Sequence, residues 1–292
     1  MKAKAIGDLD VIVPVYGRPD LLERCLASIE ATRGELDARL ILVDDASPEM
    51  AALEPIYAGL NGRAKLIRNR QNSGFPRTVN RGVSQGFAPL VLLLNTDIEL
   101  QPDCLQAMIA EFADPQVGVV GPKLLFPPDS LDPHQPAGKI QHAGMAVNFR
   151  GQFVHANLGW SANHPKVNER RVVQAVTGAC LMTRRSLWIA ITKFYRSSGD
   201  PTSGAMNEIY GRGTWEDVEY CFAVRGQPAP SNGHQPGSPG GYQVIYTPDA
   251  VAYHLVGGSS AQAGQGYSLA RNEMIFRARC GYMLAWDEWR FC

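Results

Sequence analysis

Over the first 125 positions, short apolar runs alternate with stretches of helical periodicity. VIVPV (11–15), LILV (40–43), LVLLL (90–94) and VGVV (117–120) read as strands, and 65–67 as a further short one. Between the first two, PDLLERCLASIEATR (19–33) places Leu21, Leu22, Cys25, Leu26 and Ile29 at helical spacing. Helices are also predicted over about 48–60, 75–85 and 103–112, with Pro76 acceptable in the first turn of its helix. Strands alternating with helices predict a mostly parallel sheet covered on both faces.

The pattern loosens beyond residue 125. Residues 126–138, rich in Pro and Asp, read as a surface loop, and 140–176 as small antiparallel strands. A helix near 215–224 and a strand, YQVIY (242–246), flank a polar low-complexity stretch at 226–241 that is expected to be mobile. The expected organisation is a ligand-binding half, 1–125, and a second half, 126–292, joined in one continuous structural domain without internal repeats.

Composition narrows the function classes. The chain has 28 basic and 28 acidic residues in 292, which argues against an electrostatically driven nucleic-acid binder. Its six cysteines show no CxxC pair and no zinc spacing, so reduced core thiols in a cytosolic protein are expected. No signal-peptide run opens the sequence, and no apolar stretch approaches the roughly 20 residues that span a bilayer. The expectation is a cytoplasmic protein, compatible with peripheral contact at the inner face of a membrane.

Three predicted strands end in polar groups: Pro14-Val15-Tyr16, Asp44-Asp45 and Asn95-Thr96-Asp97. Taken singly, Asp44 or Asp45 reads as a cap for the helix near Pro48, Asp97 as one for the helix near Pro102, and Tyr16 as a half-buried aromatic. Open parallel sheets bind ligands beyond the carboxyl ends of their strands, where these three tips would form one acidic crevice. A Mg2+ or Mn2+ ion, held by a carboxylate and substrate phosphates, gives such a crevice a purpose. Asp97 would be the protein ligand, and Asp45 would be left for another partner, such as a nucleobase N–H.

Seven segments carry a family resemblance: PVYGRPDLLERCLASI, VDDAS, NSGFPRTVNRG (72–82), NTD (95–97), VTGACLMTRRSLW (176–188), WEDVEYCFAVRG (215–226) and GYQVIYTPDAVAYHLVGGSS (241–260). In this order, over about residues 10–275, they resemble the family-two inverting glycosyltransferases, especially the bacterial branch of rhamnosyltransferases and cell-surface polysaccharide enzymes. The resemblance implies the A-type nucleotide-sugar-binding fold: a Rossmann-like, mostly parallel α/β sheet fused to a smaller mixed acceptor-binding part. It implies that Pro14, Tyr16 and Asp45 hold the nucleobase and ribose, that Asn72 and Gly74 sit on a loop closing over the nucleoside, and that Asn95 and Thr96 also face the nucleotide. Asp97 and His254 then hold Mn2+ or Mg2+. Gly178, Ala179, Trp215 and Glu216 line the substrate side, and Asp217 is the general base. The implied donor is UDP- or dTDP-linked, and the acceptor a glycan or lipid-linked glycan.

Two positions depart from the family pattern. Asn95 stands where an acid is common in the metal motif, and Met206-Asn207-Glu208 only approximates a Gly-Phe-Asp-Glu segment. By pattern alone, Asp217 is a surface acid on a helix that buries Val218, Tyr220, Cys221 and Val224, and His254 is a lone histidine ending a strand. Arg77 either reaches a phosphate or serves no site, and His142, in IQHAG, has no assigned chemistry. A non-catalytic nucleotide-sugar or glycan-binding module is the alternative, favoured by Asn95. A nucleotidyltransferase would need a Gly-rich basic loop that PVYGRPD lacks, and a dehydrogenase a GxGxxG that follows no strand here.

Overall fold

The computed structural model describes residues 8–148, 150–200, 202–230, 240–255 and 269–285. In the first part, strands β1 (Leu9–Val15), β2 (Ala38–Asp44), β3 (Ala64–Arg68), β4 (Leu90–Leu94), β5 (Ile98–Leu100) and β6 (Val117–Leu125) are interleaved with helices α1 (Pro19–Arg33), α2 (Met50–Gly59), α3 (Phe75–Val83) and α4 (Cys104–Ala110). Then come β7 (Ile140–His142), β8 (Met145–Val147), β9 (Phe153–His155), β10 (Arg171–Val172) and β11 (Cys180–Arg184). Helices α5 (Arg185–Ser197) and α6 (Glu216–Arg225), strand β12 (Gln243–His254) and helix α7 (Leu269–Cys280) complete the described chain.

One sheet runs in the order β10-β12-β6-β11-β4-β1-β2-β3, with β5 paired to β12 and β7 to β6, while β8 and β9 form a separate hairpin. The β4–β1–β2–β3 and β6–β12 pairings are parallel, and β11 lies antiparallel between β4 and β6. Both parts of the chain therefore contribute to the same sheet, which is mostly parallel as the alternating pattern predicts.

The apolar runs lack polar alternation because both faces of the sheet are covered. In β4, Val91 and Leu93 enter one core cluster while Leu92 and Leu94 enter the other, and β2 divides Ile41 and Val43 from Leu42 in the same way. Fully burying each such side chain is worth about 1.5–3 kcal/mol. The buried thiols of Cys25, Cys104, Cys180 and Cys221 are unpaired, as expected of reduced core cysteines.

Strand direction gathers the chemistry. The carboxyl ends of β1, β2, β4 and β12 lie at one edge of the sheet, and antiparallel β11 begins there. The Asn95 N–H donates to the Ala179 carbonyl at 2.9 Å, and the Leu255 N–H to the Asp97 carbonyl at 3.0 Å. Residues far apart in sequence thus meet beside the 95–97 tip. The polar stretch after α6 is closed at its base by a bridge between Pro228 and Gly241. Residues 231–239 of the expected mobile loop, 256–260 of the last motif, and Cys292 lie outside the described residues.

Candidate active site

At this edge lies a cavity of about 510 Å³, within the range of small-molecule sites. Pro14 and Tyr16 reach it from β1, and Asn95, Thr96 and Asp97 from the end of β4. Asp45, Asn72, Gly74, Gly178, Ala179, Glu216, Asp217 and His254 also line it. The structure brings together every site residue expected from the sequence except Trp215. That side chain stacks on Phe276 with ring centroids 4.9 Å apart and neighbours Phe153, so it packs α6 against α7 and is not a lining residue. Its φ of 74° accompanies this turn away from the cavity. Arg77 also points elsewhere, pairing with Glu208 at 2.8 Å.

The adjacent acids at the tip of β2 have different fates. Asp44 accepts hydrogen bonds from the Tyr57 hydroxyl at 2.6 Å and the Ser47 N–H at 2.9 Å, so it secures the approach to α2. Asp45 lines the cavity, but it is not left waiting for a ligand. Its carboxylate accepts from the N–H groups of Ser73 (2.8 Å) and Gly74 (2.9 Å) and from the Asn69 amide (2.7 Å), which fixes the 72–74 loop. Gly74 has φ 84° and ψ 163°, a region open essentially only to glycine. A Cβ there would also lie 2.6 Å from the backbone of Gly211 and Arg212.

Asp97 does not cap α4, whose N-cap is Asp103. It is 6% exposed, and its Oδ1 lies 3.5 Å from Nε2 of His254, itself 8% exposed. Nearby, Asn95 Oδ1 is buried with no hydrogen-bond partner among the described residues. The lining includes the carboxylates of Asp45, Asp97, Glu216 and Asp217, and no Lys or Arg among the described residues. Arg18 is close enough for its charge to act on Asp97, and a cation faced by the pair Asp97–His254 would bring further positive charge to a diphosphate entering the site. Among the described residues no cluster of three His, Cys, Asp or Glu could ligate a metal, so substrate oxygens and water would complete the shell. That division of ligands suits Mg2+ or Mn2+.

Asp217 stands in the first turn of α6 and is held from both sides. Its Oδ2 accepts the Gly178 N–H at 2.7 Å, and its Oδ1 the Val218 N–H at 2.8 Å. Gly178 permits this approach, since a Cβ on it would sit 3.0 Å from that of Asp217. Burial pushes the Asp217 carboxyl above its ordinary value, while these N–H donors pull it partly back. In Glu216, burial and then the neighbouring Asp217 charge raise the carboxyl well above the usual range, and its Oε2 has no hydrogen-bond partner among the described residues.

Several lining residues were not singled out from the sequence: Phe75, Thr78, Thr177, Gly213, Thr214 and Leu269. The first three belong to motif segments and could have been found there; Leu269 carries no local signal. Behind the 213–214 wall, the buried Asn272 of α7 donates to the carbonyls of Tyr210 (3.0 Å) and Gly213 (2.7 Å), securing the strained turn before α6. Met206-Asn207-Glu208 proves to be scaffolding: the Asn207 amide donates to buried Glu219 at 2.9 Å, and Glu208 takes Arg77.

Residues 10–188, more than half of the chain, match the family model described as Glycosyl transferase family 2. The chain is 27% identical over 282 residues to the uncharacterized protein y4gI of Sinorhizobium fredii, a match covering 94% of this chain and 27% of that protein. To the O-antigen biosynthesis protein RfbC of Myxococcus xanthus it is 27% identical over 194 residues, 64% of this chain and 14% of that protein. It therefore spans about a quarter or less of the length of these two relatives. Among solved structures, GalNAc-T7 with UDP, GalNAc and Mn2+ superposes with a TM-score of 0.59 at 14% identity, over 86% of this chain and 44% of that one, a likeness of fold. With its mostly parallel sheet and this edge cavity, the chain has the A-type glycosyltransferase fold and belongs to glycosyl transferase family 2.

Proposed function

We propose that this chain transfers a sugar from a nucleoside-diphosphate donor to a hydroxyl acceptor, with inversion, in the synthesis of a surface polysaccharide or related glycan. The observation that carries the reading is a single cavity holding both the Asp97–His254 pair and a buried carboxylate, Asp217, with no Lys or Arg among its described lining residues. Pro14, Tyr16 and the 72–74 loop fixed by Asp45 take the nucleoside, and Asn95 offers its unsatisfied oxygen to a donor hydroxyl. Asp97 and His254 would hold Mn2+ or Mg2+, and such an ion would supply the positive charge that stabilises a departing diphosphate. The solved GalNAc-T7 structure, with UDP, GalNAc and Mn2+, supports this choice of ligand class.

Asp217 removes the proton from the attacking hydroxyl. Its raised pKa makes it a stronger base than an ordinary aspartate, and its two N–H donors keep the ionised form accessible and aligned. One displacement with one base inverts the anomeric centre, and no second carboxylate is needed as nucleophile. The donor is UDP- or dTDP-linked and the acceptor a glycan or lipid-linked glycan. No helix among the described residues is long and apolar enough to cross a membrane, and we place the reaction in the cytoplasm, at the inner membrane face where a lipid-linked acceptor would lie.

The test is release of nucleoside diphosphate from a panel of nucleotide sugars with Mn2+, before and after chelation. Release from one donor that stops on adding EDTA supports the reading. Turnover indifferent to chelation, or none with any donor, contradicts it.

A further inference from the structure

IQHAG (140–144) stands out in the sequence without a use, and β7 carries its first three residues to the rear of the site. This strand pairs antiparallel with β6, Leu124 facing His142 and Leu125 facing Ile140, with an irregularity in register between them. Gln141 is 6% exposed, and its Oε1 lies 3.2 Å from Nδ1 of His254. An amide oxygen can only accept, so Nδ1 carries the hydrogen in this contact. A neutral ring held this way keeps its lone pair on Nε2, the nitrogen 3.5 Å from Asp97 Oδ1. Two donors that share a cation through contacts of about 2.1 Å can lie at most about 4.2 Å apart, so this spacing suits a common ion.

We infer that Gln141 is a positioning residue: it fixes His254 in the Nδ1–H tautomer and so directs the Nε2 lone pair, with the Asp97 carboxylate, at one divalent cation. The inference rests on the cation reading above, but the tautomer can be read with no metal present. Without an acceptor at Nδ1 the ring could take the opposite tautomer, which would aim an N–H at the ion. Partners of this kind behind metal-binding histidines typically govern affinity by roughly 10–100-fold.

The experiment uses the full chain with 15N-labelled histidine rings, metal-free and above the ordinary histidine pKa. The His254 signals are identified by their loss in His254→Gln, and Mn2+ affinity is measured separately by electron paramagnetic resonance. The expected wild-type result is a pyrrole-like Nδ1 and a pyridine-like Nε2. Gln141→Met, similar in length but without an acceptor, should mix the tautomers and weaken Mn2+ binding by roughly 10–100-fold. Gln141→Glu, which keeps an acceptor at the same place, should restore both. An Nε2–H tautomer in the wild type, or Gln141→Met with unchanged tautomer and Mn2+ affinity, would overturn the inference. Wild-type protein that shows the stated tautomer yet binds no Mn2+ would instead overturn the cation reading, and with it the role given to Gln141.

Discussion

Two buried carboxylates mark opposite ends of the same sheet. Asp10, near the amino end of β1, is 0% exposed and fully compensated: Arg39 donates at 3.0 Å, Arg185 at 2.5 Å and the Ala88 N–H at 2.9 Å. Asp97, beyond the carboxyl end of β4, faces a histidine nitrogen 3.5 Å away in a lining that has no Lys or Arg among the described residues. Asn95 and Glu216, which line the same cavity, each keep a buried oxygen with no hydrogen-bond partner among the described residues. Buried polar atoms are almost always satisfied, so an edge where several are not is arranged for a ligand that satisfies them. At the other edge two guanidinium groups and a backbone N–H bond the carboxylate directly. The difference separates a carboxylate that serves the fold from one that we propose serves chemistry.

Perturbing each edge should give opposite phenotypes. Asp10→Ala strands two partly buried guanidinium groups and should cost about 3–5 kcal/mol in denaturant unfolding, with donor affinity unchanged in the protein that remains folded. Asp217→Asn keeps only one of the two oxygens that accept the Gly178 and Val218 N–H groups, and in the folded protein it should leave donor KM near wild type while lowering kcat by about 10²–10⁴-fold. Near-normal turnover in that variant removes Asp217 from the chemistry. The acid limb of the wild-type rate should lie above the ordinary aspartate value, because activity rises with pH as the raised Asp217 carboxyl ionises.

A smaller effect comes from behind the site. Nδ1 of His142 lies 2.8 Å from that of His155, and burial lowers both pKa values, that of His155 from 6.5 to about 4. Between those two pH values the unfolded chain binds more protons than the folded one, so this contribution is full above 6.5 and is lost as pH falls toward 4. Glu216 and Asp217, with raised values, act in the opposite sense, so the measurement is the difference in melting temperature between wild type and His155→Gln. That difference should shrink toward acid pH; a constant difference contradicts the assignment. Smallest of all is Arg77→Ala. Its side chain is 58% exposed in the pair with Glu208, so stability should change by about 0–1 kcal/mol and donor affinity not at all. A clear loss of donor affinity would return Arg77 to the phosphates.

The cavity edge was largely legible in the sequence because its groups sit at strand ends, where apolar runs break into Tyr16, Asp45 and Asn95 to Asp97. The parallel core was legible for the same reason. The insertion of β11 between β4 and β6 was not, since an antiparallel guest strand is fixed by non-local pairing that five residues cannot announce. Trp215 was placed on the substrate side by the resemblance of its segment, whereas its ring stacks on Phe276, a packing partner that the local pattern does not reveal. Asn272 reads as an ordinary polar residue in a helix, and only the fold shows the carbonyls it satisfies. Gln141 lies within IQHAG, where nothing local marks its contact with the distant His254.

The most direct test of the account is thermal melting of wild type and Asp97→Ala with a panel of nucleoside diphosphates, with and without Mn2+. Near 100 times its Kd, a ligand specific for the folded state stabilises by about 2.7 kcal/mol, which such melting resolves. The account predicts that one nucleoside diphosphate stabilises wild type strongly only when Mn2+ is present, and that Asp97→Ala loses this Mn2+-dependent gain. Equal stabilisation with and without Mn2+, or a gain retained in Asp97→Ala, would contradict it.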